Sequence, residues 1–236
     1  MKKKLSLVCM LLSLLLFVNL FSGTAFATGN SGDPEAMVTG EKSLDNIIDE
    51  INTEIEVTDE SVTISDKSSL LEKISQEDID NLNELAKAQG VEYEQPLTKE
   101  SLLNMFEEGI ESVNDEVTNG ELEVLEDGSL IEADDDSFYV QGGSTYDKTY
   151  WWGKKRYKST YAANKWVSEL NTAGNLNTGG AVLAGAIFGG VGAIPNGLTA
   201  VYCYQLANKV SYRNSLNNRG IIANVTWALV FTTSSQ

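Results

Sequence analysis

The sequence predicts an α+β fold: a small mixed acidic part, then a glycine-rich helical hairpin flanked by antiparallel strands. Three observations predict it. Several segments repeat apolar residues at helical spacing behind good capping residues. The segment "GIIANVTWALVF" (220–231) alternates as a half-buried strand does. Residues 179–197, "GGAVLAGAIFGGVGAIPNG", are uncharged and end in a Pro-Asn-Gly turn.

The elements follow in chain order. Residues 1–27 read as a secretory signal peptide: MKKK, the apolar run "LSLVCMLLSLLLFVNLF", then "SGTAFA", with cleavage expected after Ala27. Val8 before Cys9 argues against a lipoprotein anchor. Beyond residue 27 a single cysteine remains, Cys203, so no intramolecular disulfide is available and the fold must rest on its core.

Residues 28–140 hold 32 acidic and 5 basic residues, and residues 141–236 hold 2 and 9. So sharp a reversal predicts two parts, an acidic pro-region or N-terminal domain (28–140) and a basic C-terminal domain (141–236), divided at Gly142–Ser144. All four tryptophans fall in the second part.

In the acidic part, Leu44, Ile47, Ile48 and Ile51 share a helical face, and "TDESVTIS" alternates beside a turn. Ser75 caps a helix running to Gly90, with Asp78 three residues on. Thr98 caps another that turns Leu103, Phe106, Ile110 and Val113 inward. Asp127-Gly128 between apolar runs predicts a hairpin. The "DDD" at 134–136 lacks the glycine and spacing of a calcium loop, so solvation is its expected role and no metal is expected.

In the basic part, "DKTYWWGKKRYKS" (147–159) predicts a strand, and Ser159 caps a helix ending near Gly174. A further helix reaches about Tyr212, and the last strand follows from Ile221. The two strands are expected to pair antiparallel.

Function turns on the apolar stretch. Leu170 to Asn208 contains no charged residue. Its core, 179–194, makes a helix of about 24 Å, short of the ~30 Å hydrocarbon core, so the Pro195 turn and the segment after it are needed for an inserting hairpin. Ala181, Gly185, Gly189 and Ala193 recur every four residues, the spacing that lets helices approach closely in lipid. With Ile187, Phe188 and Pro195 they form the expected membrane-inserting set. Upstream, Trp151, Trp152, Lys154, Lys155, Arg156, Lys158 and Trp166 combine basic and interfacial aromatic residues, the expected docking set for anionic lipid. The competing reading is a close-packed core hairpin with no membrane role.

Histidine is absent, which removes Ser-His-Asp and Cys-His chemistry and imidazole metal ligands. Carboxylate chemistry remains, but no acidic pair stands out, so neither an enzyme nor a cofactor is expected. The acidic balance speaks against nucleic acid.

The pattern "TYWWGKKRYKS…GGAVLAGAIFGGVGAIPNG…ANVTWALVF" resembles that of the large, unmodified geobacillin-type bacteriocins of bacilli, over roughly the last 90 residues. The resemblance implies a secreted antibacterial protein that damages the envelope of related Gram-positive bacteria, and it carries over no catalytic residue. The expected partners are anionic lipid of the target membrane, other copies of the chain on that membrane and an immunity protein. The chain departs from small bacteriocins in its acidic part and in placing Gly142-Gly143 far from the N-terminus. The alternative is a secreted, non-enzymatic cell-surface or interaction protein.

Overall fold

The computed structural model describes residues 34–58, 60–125, 127–132, 138–140, 142–175, 180–189 and 196–236. The fold is α+β, as expected. The expected cleavage site at Ala27, together with Ala193 and Pro195, lies outside the described residues.

Local chemistry sets most helix starts. Helix α1 (Pro34–Asn52) buries Leu44, Ile47 and Ile51. After a small hairpin of β1 (Ile55–Val57) and β2 (Val62–Ile64) comes α2 (Lys67–Lys73), capped by Asp66. Helix α3 (Gln76–Ala88) begins at Ser75, whose hydroxyl accepts from the Asp78 N–H at 3.0 Å and donates to the Asp78 carboxylate at 2.7 Å. Helix α4 (Lys99–Thr118) opens with a reciprocal Thr98–Ser101 capping box. It turns Phe106, Ile110 and Val113 into the core.

Strands β3 (Leu122–Val124) and β4 (Leu130–Glu132) form the hairpin expected around Asp127-Gly128. There follow β5 (Phe138–Val140), β6 (Gly143–Tyr150), β7 (Gly153–Lys158), α5 (Thr160–Asn175), α6 (Gly180–Phe188), α7 (Ala200–Leu216), β8 (Ile221–Thr226) and β9 (Phe231–Ser235). One seven-stranded sheet runs β3-β4-β6-β7-β8-β9, with β5 also on β6, and these pairs are all antiparallel.

Two single strands expected from the sequence are hairpins instead. The segment 147–159 turns at Trp151-Trp152, and the terminal segment turns at Trp227–Val230, with Leu229 in the left-handed region (φ 59°). The central residues of neither turn are Gly, Asn or Pro, because Trp151 and Trp227 anchor them in the core, although Gly153 at positive φ closes the first. Trp151 packs edge-on against Phe106 of α4 at 5.4 Å, and Trp227 donates its indole N–H to the Trp151 carbonyl at 2.9 Å. A methyl group at Gly109 of α4 would overlap the Trp227 ring. Glycine in mid-helix, usually unfavourable by up to about 1 kcal/mol, is required there for packing.

The expected boundary near residue 140 separates charge. The packing crosses it: residues Gly32–Gln236 form one compact unit. Strand β4, from the acidic part, pairs with β6. The buried Gln89 side chain acts as a strand partner for edge strand β9, accepting from the Phe231 N–H (2.9 Å) and donating to its carbonyl (2.6 Å). Tyr93 donates to the Ala228 carbonyl, and Trp151 to Asn52 at 3.2 Å.

The expected helical hairpin after Gly179 takes a different form. Helix α6 stops at Phe188, and α7 packs along α5 instead, with Gly174 against the Tyr204 ring and Asn214 bonded to Thr160 and Asn164. Among the described residues no helix is long and apolar enough to cross a membrane.

Candidate functional site

The β6–β7 hairpin and helix α6 together hold most of the residues expected to act. Strand alternation divides them between two faces.

The inner face carries Asp147 on β6 and Lys154, Arg156 and Lys158 on β7, with Asp147 opposite Arg156. Asp147 Oδ2 accepts from Arg156 Nε at 3.0 Å and lies 2.9 Å from its Nη2, while Lys158 Nζ sits 2.8 Å from Oδ1. Burial pushes the Asp147 carboxyl toward a higher pKa. The charges and hydrogen bonds of Arg156 and Lys158 outweigh that and hold it below the usual carboxylate range. Burial pulls both the Lys154 and Lys158 ammonium groups below their ordinary values. Lys154 is only 1% exposed and has Glu132 of β4 3.7 Å away.

This cluster holds the end of α6. Arg156 Nη1 donates to the Ile187 carbonyl at 2.5 Å and to the Ala186 carbonyl at 3.3 Å. Trp166 of α5 donates its indole N–H to Ala186 O at 2.8 Å, and the Arg156 guanidinium lies 4.7 Å over the Trp166 ring. A cation at the carbonyl end of a helix satisfies unpaired acceptors and opposes the negative end of the dipole. Gly189, at φ +73°, bonds back to Gly185 O at 2.9 Å and ends the helix in the left-handed conformation that glycine supplies.

The expected docking set is therefore corrected for this conformation. Docking needs side chains at the surface, yet Trp151 (4%), Lys154 (1%), Arg156 (8%) and Trp166 (2%) are buried, and Lys158 is tied to Asp147. Trp152 and Lys155 lie on the other face, partly exposed.

The expected inserting set divides as well. Ile187 and Phe188 are buried, with Phe188 packed on Trp227 at 5.1 Å, while Gly189 is a helix terminator. Ala181 and Gly185 are exposed beside Val182, and a methyl group added to Gly185 would meet nothing within 4 Å. Among the described residues, Ala181 and Gly185 of the four-residue spacing thus lie on an open face, with no second helix within 4 Å of a methyl group at Gly185.

The outer face of the sheet was not expected from sequence. Tyr146 of β6 pairs with Tyr157 of β7, their rings stacked at 4.2 Å and 15°, and Tyr150 stacks on Trp152 at 5.1 Å and 7°. Between these pairs Lys148 stands opposite Lys155. Lys148 reaches Asp127 at 2.8 Å, and Lys155 Nζ lies 5.5 Å from the Tyr157 ring centre. Both rows continue onto β8 and β9, one through Ile222 and Ser234, the other through Asn224 and Thr232. The period-two order of Tyr146, Lys148 and Tyr150 was the available signal. The unrecognised turn at Trp151-Trp152 hid the pairing.

What these features define is an α+β protein with a buried cation cluster holding a short apolar surface helix, and with an aromatic-basic sheet face. Compared with family models, curated proteins and solved structures, the chain matches none.

Proposed function

We propose that the chain is an exported, non-enzymatic antibacterial protein, bacteriocin-like in action, that permeabilises the envelope of related bacteria with α6 as its membrane-entering element. One observation carries the reading. An uncharged helix lies at the surface with Ala181, Val182 (48% exposed) and Gly185 open, tethered at its carbonyl end by Arg156 and Trp166. Its nine residues measure about 14 Å, half a hydrocarbon core, so entry requires α6 to leave Arg156 and draw in the uncharged chain around it. Trp152 and Lys155 are the first lipid contacts, and the buried basic residues follow only once α6 is released. The partners on this reading are anionic lipid, other copies on the membrane and an immunity protein in the producing cell.

The test is dye release from anionic vesicles by the chain from residue 28 onward, run beside killing of Gram-positive cells. Release at sub-killing concentrations is the expected result. Intact vesicles at killing concentrations would overturn permeabilisation.

A second reading, a secreted cell-surface or interaction protein with α6 as plain core, is favoured by the burial of Leu183, Ile187 and Phe188. It predicts a monodisperse protein that neither kills cells nor binds vesicles.

A further inference from the structure

We infer that a cavity between α4 and the segment 93–98 binds an organic cation, an ammonium group carried on a compact apolar body. The inference stands independently of membrane permeabilisation.

The cavity is built before any ligand arrives. Its volume is about 360 Å³, and among the described residues Tyr93, Pro96, Leu97, Met105, Gly109 and Trp227 give it apolar walls and a floor. Cavities of roughly 300–1,000 Å³ are the size that encloses a small molecule. The wall at 93–98 is pinned along its length. Asn83 accepts from the Leu97 N–H at 2.8 Å and donates to the Leu97 carbonyl at 3.0 Å. Thr98 is locked to Ser101 by the capping box, and the Glu92 N–H donates to the Gly197 carbonyl at 3.2 Å. A wall already held in place costs little to order on binding.

The floor has no donor to spare. Trp227 spends its indole N–H on the Trp151 carbonyl at 2.9 Å, and Tyr93 spends its hydroxyl hydrogen on the Ala228 carbonyl. What these two residues turn toward the cavity is ring carbon, which suits an apolar body and offers nothing to an anion.

Charge then selects the ligand. Glu94 and Glu108 line the cavity, and no lysine or arginine does among the described residues. Neither carboxylate has a hydrogen-bond or ion-pair partner among those residues. Lys67, which reaches the Asn104 side chain at 2.8 Å, is answered by Glu107 at 2.6 Å. On an open surface two such carboxylates are merely solvated. Here they border an aromatic-floored space, where ring electrons and carboxylates attract a cation together. The surrounding part, with 32 acidic residues against 5 basic ones over 28–140, raises the local concentration of cations further. An inorganic cation would leave the apolar walls unused, and a neutral ligand would leave the carboxylates unused. An ammonium on an apolar body uses both.

The experiment is calorimetric titration of the chain from residue 28 onward with four probes. Phenethylammonium carries both features, 2-phenylethanol the body alone, methylammonium the charge alone and 3-phenylpropionate the opposite charge. Saturable one-to-one binding of phenethylammonium is expected, at least tenfold tighter than any of the other three. Glu94→Gln with Glu108→Gln should bring phenethylammonium down to the level of 2-phenylethanol and leave 2-phenylethanol itself unchanged. Asn104→Trp, at an exposed position on the cavity wall, fills the space and should abolish binding of both. Unfolding curves matching the parent's show that each variant is folded. Should Asn104→Trp fail to fold, the glutamine pair, at two exposed positions, still decides the outcome. The proposal is overturned if phenethylammonium does not saturate, or if 2-phenylethanol or methylammonium binds as tightly. Full phenethylammonium binding by either folded variant overturns it as well. No vesicle enters the titration, so failure here is distinguishable from failure of the permeabilisation reading.

Discussion

At the scale of the residue, Asp147 does the most with the least help. It is one of only two acidic residues after position 140, and it answers both Arg156 and Lys158. Removing one partner of a buried ion pair strands the other charge, at a cost of about 3–5 kcal/mol. Asp147→Asn is therefore expected to lower the melting temperature sharply and to loosen α6, because Arg156 loses what orients it. The pH dependence has a definite sign. The folded pKa lies below the unfolded one, so the contribution is complete above about pH 4 and disappears as pH falls through the lower, folded value. Thermal melts from pH 7 to pH 2 should show an acid loss of stability that the Asn variant lacks in part. An identical acid profile in both proteins would show that Asp147 contributes no such linkage. Sequence reading found the caps at Ser75 and Thr98, since a cap is a matter of three or four neighbours. It singled out Arg156 and Trp166 but assigned them to the surface, because composition reports charge and carries no information on which way a strand faces.

At the scale of the element, α6 separates the two functional readings most cleanly. A glycine needed for close helix contact cannot accept a larger side chain, whereas Gly185 faces open space. Gly185→Leu is accordingly expected to stabilise the protein by about 0.8 kcal/mol through helix propensity alone, raising the melting temperature by about 2–3 °C. A fall of several degrees would place a packed neighbour against that face and restore the helical hairpin. The helix itself was legible as apolarity, but its partner was not. Small-residue spacing marks a face able to pack closely, and nothing in the spacing says whether anything packs there. The two misread strands have a related cause. Turn rules rest on Gly, Pro, Asn and Asp at exposed tips, and the tips at Trp151-Trp152 and Trp227–Val230 are held by Phe106 and Gly109 from 40 to 120 residues away.

At the scale of the whole molecule, charge and packing draw different borders. The acidic part supplies strands β3 and β4, the helix under both tryptophan turns and the Gln89 side chain that satisfies the edge of β9. Among the described residues, the ion pairs Lys148–Asp127 and Lys154–Glu132 join the acidic part to the basic one. Apolar burial and buried hydrogen bonds also bind the parts together, each unpaired buried group costing about 1–3 kcal/mol if its partner is removed. A pro-region that merely masked charge would detach and leave a folded domain. Here detachment would strip the cover from Trp151 and Trp227 and orphan the Phe231 backbone. Residues 144–236 expressed alone are thus expected to lack a cooperative thermal transition and to bind a hydrophobic dye, while the chain from residue 28 melts as one unit. Calorimetry on both decides it. A single sharp endotherm from the fragment would mean that the acidic part is dispensable for folding, and two separate endotherms from the longer chain would mean that the charge border is a domain border after all.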